Sequence, residues 1–407
     1  MTKIPNIKDK IEDFKFEDND KLNRKIIADN FNSIFKNTEG SLVLAIDASW
    51  GDGKSAFLHM WKNQLKDLNR NVIYINAWEE DFFKLPFLSL FEAFREKFDR
   101  EKTKITEIGK NISKTFLKNK TGIDIDEILK SDESPYEELK KQKEELKELI
   151  GEKVQELQGE FPLIIMVDEL DRCNPLYSIE FLETIKHFFE IEKVIFVLGL
   201  DIRELEHSIR KVYGYNINTD KYLKKLIDIK YELPEPNYEN FIELLDEKHN
   251  KILSKLRNYD SISQILINHC KNLRDLEKFF LRFHMFLKYN KIEPYHEFQE
   301  VIIFMISQLD NKLFYKIKTQ TLSLDEIENI FDFLKIEYVS YSTFLTDVYG
   351  IAKYGCNIQR KDEKNEKFNE TIKNLIETDE MNIGHDVLDI REIKEIISKI
   401  DFLRRVS

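Results

Sequence analysis

Four short apolar runs, spaced by stretches of helical periodicity, leave few options for the first half of the chain. They are Ser41–Asp47 (SLVLAID), Asn71–Ile75 (NVIYI), Phe161–Val167 (FPLIIMV) and Val194–Leu200 (VIFVLGL). The last two are apolar almost throughout, as strands buried on both faces are. Helical spacing marks Ala56–Leu68, Leu176–Glu190 behind the cap and first-turn proline Asn174-Pro175, and Arg203–Val212 before Gly214. Strands alternating with helices predict an α/β fold with a parallel sheet wrapped by helices. A fifth run, Leu226–Leu233, places Ile227, Ile229, Tyr231 and Leu233 in alternation with Asp228, Lys230 and Glu232. That pattern predicts one wet face and a strand at the sheet edge. Pro234 and Pro236 close it, and a domain boundary is expected there.

The remaining organisation is helical. Residues 1–40 form a lead-in segment, 41–236 the core with a helical insertion over 79–160, 237–320 a helical lid, and 321–407 a C-terminal helical region. Ser323-x-x-Glu326 is a capping-box pattern opening a helix through Phe333. In the insertion, Arg95–Lys120 carries nine Lys and Arg against four acids, and Tyr136–Gln158 keeps Leu139, Leu146, Leu149, Ile150, Val154 and Leu157 on or near one side. This reads either as a projecting arm that meets a partner, nucleic acid included, or as a solvated hairpin.

Charge and cysteine usage narrow the classes. The 407 residues carry 63 Lys and Arg against 75 Asp and Glu, a net charge of −12, which argues against a protein devoted to coating nucleic acid. Cys173, Cys270 and Cys356 are too scattered for a disulfide framework or a CxxC zinc pair. Met1–Asp18 lacks the apolar run of a signal peptide, and no run approaches a membrane span, so a cytoplasmic protein is expected.

The turn after the first strand reads Ala48-Ser49-Trp50-Gly51-Asp52-Gly53-Lys54-Ser55, matching GxxxxGK[ST] except at Ala48. Gly51 and Gly53 permit backbone conformations closed to other residues, which lets successive N–H groups converge on phosphate at a helix start. If the Ala48 position requires φ > 0, alanine costs on the order of 1 kcal/mol there. The candidate nucleotide contacts are Trp50, Gly51, Asp52, Gly53, Lys54, Ser55 and Ala56. Lys54 is expected to reach the β- and γ-phosphates and Ser55 to ligate Mg²⁺. The third strand ends in Asp168-Glu169, giving a carboxylate for the Mg²⁺ shell beside Ser55 and a base for the attacking water. Asp201, directly after the fourth strand, and Arg274, in the helical part, are further candidates for a hydrolytic site.

These segments resemble the KAP P-loop NTPases. The matching residues are Trp50-Gly51-x-Gly53-Lys54-Ser55, Asn76-Ala77-Trp78, Asp168-Glu169-Leu170-Asp171-Arg172-Cys173, Tyr222-Leu223-x-Lys225, Leu233-Pro234 and Asn272-Leu273-Arg274. The resemblance covers roughly residues 15 to 285. It implies a P-loop NTPase fold with sheet order 5-1-4-3-2, ATP and Mg²⁺ as ligands, and Glu169 as the catalytic glutamate. It also implies that Asp20-x-Leu22-Asn23-Arg24 is a lead-in segment near the adenine. Bacterial members are linked to phage exclusion and defence, so homo-oligomers and co-encoded defence proteins are the implied partners. Two departures stand out: Ala48 replaces the first P-loop glycine, and the insertion is polar where many members carry transmembrane helices. The expected activity is Mg²⁺-dependent ATP hydrolysis driving an assembly or conformational switch. A non-turnover ATP-binding scaffold and a nucleic-acid-associated ATPase are the alternatives. Arg172, Arg203 and Arg210 are candidates for an arginine supplied to a neighbouring site.

Overall fold

The computed structural model describes residues 11–98, 104–121, 135–156, 161–256, 259–289, 297–323, 351 and 393–400. Five strands, β1 (Leu42–Asp47), β2 (Val72–Asn76), β3 (Leu163–Asp168), β4 (Val194–Leu200) and β5 (Ile229–Glu232), form one sheet in the order β2-β3-β4-β1-β5. Every neighbouring pair is parallel. Read from the other edge, this is the 5-1-4-3-2 order that the family resemblance implies. The register sets Asp168 beside both Asn76 and Gly199, and Asp47 beside Leu200, so the strand tips form one ledge.

Alternate residues along each strand serve opposite layers. Leu44, Ile46, Ile164, Met166, Ile195 and Val197 pack under helices α1 (Lys25–Lys36) and α2 (Lys54–Asp67). There Phe31, Phe35 and Trp61 stack, with ring centroids 5.8 Å apart for each phenylalanine on the tryptophan. The other face, with Val43, Ile165, Val167, Phe196 and Leu198, is covered from four segments of chain. These are α3 (Ala77–Glu80) with α4 (Pro86–Phe98), α5 (Lys104–Thr121) with α6 (Pro135–Glu156), α7 (Pro175–Phe188), and α8 (Ile202–Tyr213) with α9 (Thr219–Leu223).

Among its described residues, the insertion packs against the sheet. Phe91, Phe94, Ile105, Ile108 and Ile112 join Leu146, Ile150 and Val154 in the same core as β3 and β4. Its charges pair locally on the outer side: Arg95 with Glu92 at 2.6 Å, and Lys104 with Glu145. The edge strand also departs from simple alternation. Ile227 and Leu233 are buried but Ile229, the first residue of β5, is exposed, because β5 has only β1 beside it.

The chain divides into two compact units, Lys8–Glu235 and Pro236–Ser407 with Met1–Ile7. In the second, α10 (Tyr238–Lys248), α11 (Tyr259–His269), α12 (Leu273–Tyr289), α13 (Glu297–Leu309) and α14 (Asn311–Thr319) surround a phenylalanine core of Phe279, Phe280, Phe283, Phe286 and Phe304. Residues 393–400 are helical and bury Ile393, Ile396, Ile397 and Ile400, one face of a 3.6-residue repeat. The capping box and helix expected at 323–333 lie outside the described residues beyond Ser323, as does most of 321–407. Among the described residues no helix is long and apolar enough to cross a membrane.

Candidate functional site

The sheet ledge gathers most of the residues expected to act together. After β1 the backbone turns through Gly51 (φ 95°) and Gly53 (φ 79°, ψ 27°), both left-handed, and α2 begins at Lys54. A Cβ at either glycine would be strained, so the turn depends on them. Ala48 is not left-handed; its N–H continues the ladder to the Leu200 carbonyl at 3.4 Å. The alanine thus meets no strain. The helix start supplies unsatisfied N–H groups and the positive end of a dipole, an arrangement suited to phosphate.

Lys54 is buried, with its ammonium on the carbonyls of Ala48 and Ser49. Burial pushes its pKa down, opposed by the carboxylates of Asp171, Asp201, Asp168 and Asp47. Asp47 is paired with Lys230 at 2.8 Å and Asp201 faces Arg203 at 3.8 Å, which leaves Asp168 as the ledge carboxylate that a hard divalent cation would complement. The Ser55 hydroxyl opposes the burial-driven rise of the Asp168 pKa, so the hydroxyl and carboxylate expected to share Mg²⁺ are already adjacent. The donor set fits the ion. Asp168 is nearly inaccessible and also accepts from the Tyr74 hydroxyl at 2.9 Å and the Glu169 N–H at 2.9 Å. Burial raises its pKa and that of Tyr74, the latter also through the adjacent Asp168 charge.

Glu169 occupies a left-handed conformation (φ 60°, ψ 24°), a backbone state that costs about 1–2 kcal/mol for a residue with a side chain. Its carboxylate pairs with Arg172 at 2.7 Å. Burial raises the Glu169 pKa, while the Arg172 charge and an Asn76 hydrogen bond pull it down. Asn76 also caps α3 through the N–H groups of Trp78 and Glu79. Asp201 is buried and caps α8 by accepting from the Arg203 N–H at 3.1 Å. Its own N–H donates to Asp171, which also receives the Trp50 indole N–H.

Arg24 lies buried behind the loop. Its guanidinium, in a residue 2% exposed, donates to the carbonyls of Asp52 at 2.8 Å and Gly53 at 3.2 Å, and to Pro234 at 3.5 Å. These contacts tie the loop backbone to the start of α1. Arg274 lies exposed in the first turn of α12, within the second unit. Of the three arginines considered for a neighbouring site, Arg172 is held by Glu169, and Arg210 by Glu206 at 2.9 Å. Arg203 is the exposed one, yet it reaches Ser49 Oγ at 2.7 Å within its own chain.

The sequence reading missed Gly199. Inside a buried strand, a Cβ here would overlap Leu58 and stand 3.0 Å from Asp168 Oδ1. A glycine interrupting an apolar strand is the signal for such close approach. Gly199→Ala is expected to cost about 1–3 kcal/mol of stability through overpacking. It should also weaken Mg²⁺-dependent nucleotide binding more than metal-free binding, which titration calorimetry with and without Mg²⁺ would measure.

No curated protein sequence matches the chain. Among solved structures it is similar to the ORC2 protein of Aeropyrum pernix, in ADPNP–ADP complexes, at 11% identity, covering 95% of each chain, with a TM-score of 0.40. It is similar to Cdc6p of Pyrobaculum aerophilum at 10% identity over 97% of this chain and 98% of that one, with a TM-score of 0.41. Domain III of the Thermotoga maritima replication initiation protein DnaA matches at 14% identity over 71% and 91%, with a TM-score of 0.34. The KAP family P-loop domain matches residues 24–406, nearly the whole chain, and the protein belongs to that family.

Proposed function

We propose that the protein binds ATP with Mg²⁺ at the ledge and hydrolyses it, using the nucleotide state as an assembly or conformational switch. One observation carries this reading: the left-handed Gly51–Gly53 turn opens α2 at Lys54, whose buried ammonium lies near the buried Asp168 at the tip of β3. The loop N–H groups would hold the phosphates, and Lys54 would exchange its carbonyl acceptors for phosphate oxygens. Ser55 and Asp168 would hold Mg²⁺, which when bound neutralises charge on the phosphoryl oxygens. Glu169 would take the proton of the attacking water; its burial strengthens it as a base, and it must first part from Arg172. Asp201 and Arg274 remain proposed contributors, the first fixed at the ledge and the second on the helical unit. The family resemblance supports a place in a bacterial anti-phage system with co-encoded partners, or as a homo-oligomer.

Titration calorimetry with Mg·ATP and a phosphate-release assay test this. Saturable heat and Mg²⁺-dependent release are expected; no heat with wild-type protein would overturn the reading. The Glu169–Arg172 pair favours one second reading, an ATP-binding scaffold with little turnover. Tight binding with release no faster from wild type than from Glu169→Gln would establish it.

A further inference from the structure

Two exposed aromatic patches of opposite charge lie at opposite ends of the sheet on the unit Lys8–Glu235. The first hangs from the tip of β2: Trp78 is 56% exposed, Phe82 85% and Phe83 59%, with Leu176 half exposed beside them. The hydrogen bond from the Asn174 N–H to Asp81 at 2.8 Å ties the Phe82 turn to the start of α7, which carries Leu176. Together the three rings offer on the order of 400 Å² of apolar surface, within the range of the largest patch on a monomer, which is often functional. Glu79 and the half-buried Glu80 make this patch acidic, with Lys84 at its margin.

The second patch sits where α8 ends. Val212 is exposed, Tyr213 is half exposed, and Tyr215 is 88% exposed. Lys211, Lys221 and Lys225 are exposed around them, and Lys224 is paired with Asp220. The packing of Tyr213 on Tyr222, with centroids 5.4 Å apart, brings α9 and its lysines alongside. Two independent contacts place this patch at the far end of the sheet. Helix α8 starts at the tip of β4 and runs back for its 12 residues, about 18 Å. Tyr213 and Tyr222 then both donate to Glu183, one turn from Lys186, which pairs with Asp228 at the beginning of β5.

We propose that the acidic aromatic patch of one copy docks on the basic aromatic patch of a second copy. Because the two surfaces differ and face opposite ends of the sheet, the contact is heterologous and head-to-tail, and it propagates into a ring or a filament. Apolar rings supply the area and the opposite charges select the pairing. The occupant is a second copy because the complementary surface is already present on this chain. The acidic patch abuts the candidate site through Asn76, so assembly and the nucleotide ledge share an element; the docking itself does not rest on hydrolysis.

Sedimentation velocity of the full chain over a wide concentration range tests this, with two charge-reversed variants. One carries Glu79→Lys and Glu80→Lys; the other carries Lys211→Glu and Lys225→Glu. Wild-type protein is expected to self-associate, and each variant alone to do so at least tenfold more weakly. Mixed in equal amounts, the two variants are expected to regain association, because each reversed patch then meets one of opposite sign. A wild-type protein that stays monomeric at every concentration, or variants that associate like wild type, would overturn the proposal. So would loss in both variants without recovery on mixing.

Discussion

Glu169→Gln is expected to lower ATP turnover on the order of 10²–10⁴-fold while leaving Mg·ATP affinity within a few-fold of wild type. The amide cannot accept the proton of the attacking water, but the substitution hardly changes volume and leaves the loop and Asp168 in place. Two features make Glu169 suited to the task. Its left-handed backbone is strained, and strain of this kind persists only where the surroundings hold it, commonly at functional sites. Its carboxylate is largely withdrawn from water, which raises its pKa against the opposing charge of Arg172. Phosphate release measured beside calorimetric affinity separates the outcomes. A parallel fall in affinity would mean that Glu169 holds the nucleotide or its metal, whereas unchanged turnover would remove it from the chemistry.

What the sequence revealed, and what it hid, follows from which interactions are local. Strand β4 occupies Val194–Leu200 as read, because a strand buried on both faces declares itself by unbroken apolarity. Strand β3 begins at Leu163, two residues later than the apolar run, since Pro162 has no N–H to give the ladder. Helix α2 starts at Lys54, where the phosphate-loop pattern puts its beginning and two residues before the apolar periodicity of Ala56–Leu68 sets in, with left-handed Gly53 as its cap. Packing of the insertion was hidden by its charges: Leu146, Ile150 and Val154 are diluted among Lys and Glu, and nothing local says what covers them. The partners of the ledge were less legible still. That a glycine at 199 keeps clear of Asp168 requires the register of β4 on β3, and that Tyr74 donates to Asp168 requires the register of β2 on β3. Neither register is written in a single segment.

Arg24 shows the same principle at its largest expected effect. Replacing it by Met keeps most of the buried stem but removes the hydrogen bonds to Asp52 and Gly53, the two residues whose backbone forms the phosphate turn. Global stability is expected to change by no more than about 2 kcal/mol, because two terms oppose each other. Orphaned buried carbonyls cost about 1–3 kcal/mol each. Against that, burial already pushes the guanidinium pKa down to about 10, so an apolar replacement relieves a desolvation penalty of comparable size. The entrance to α1 survives in either case, since Asp20 caps it through backbone N–H groups at 2.8 and 2.7 Å. Nucleotide binding has no such compensation. Two charge-assisted bonds at about 1.5 kcal/mol each hold the loop, so their loss is expected to weaken Mg·ATP affinity on the order of 100-fold. Arg24→Lys, a single point charge without the planar fork, is expected to lose roughly tenfold. Thermal melting alongside calorimetric titration separates the two effects. Wild-type affinity in Arg24→Met would mean that Gly51 and Gly53 hold the turn without support from behind.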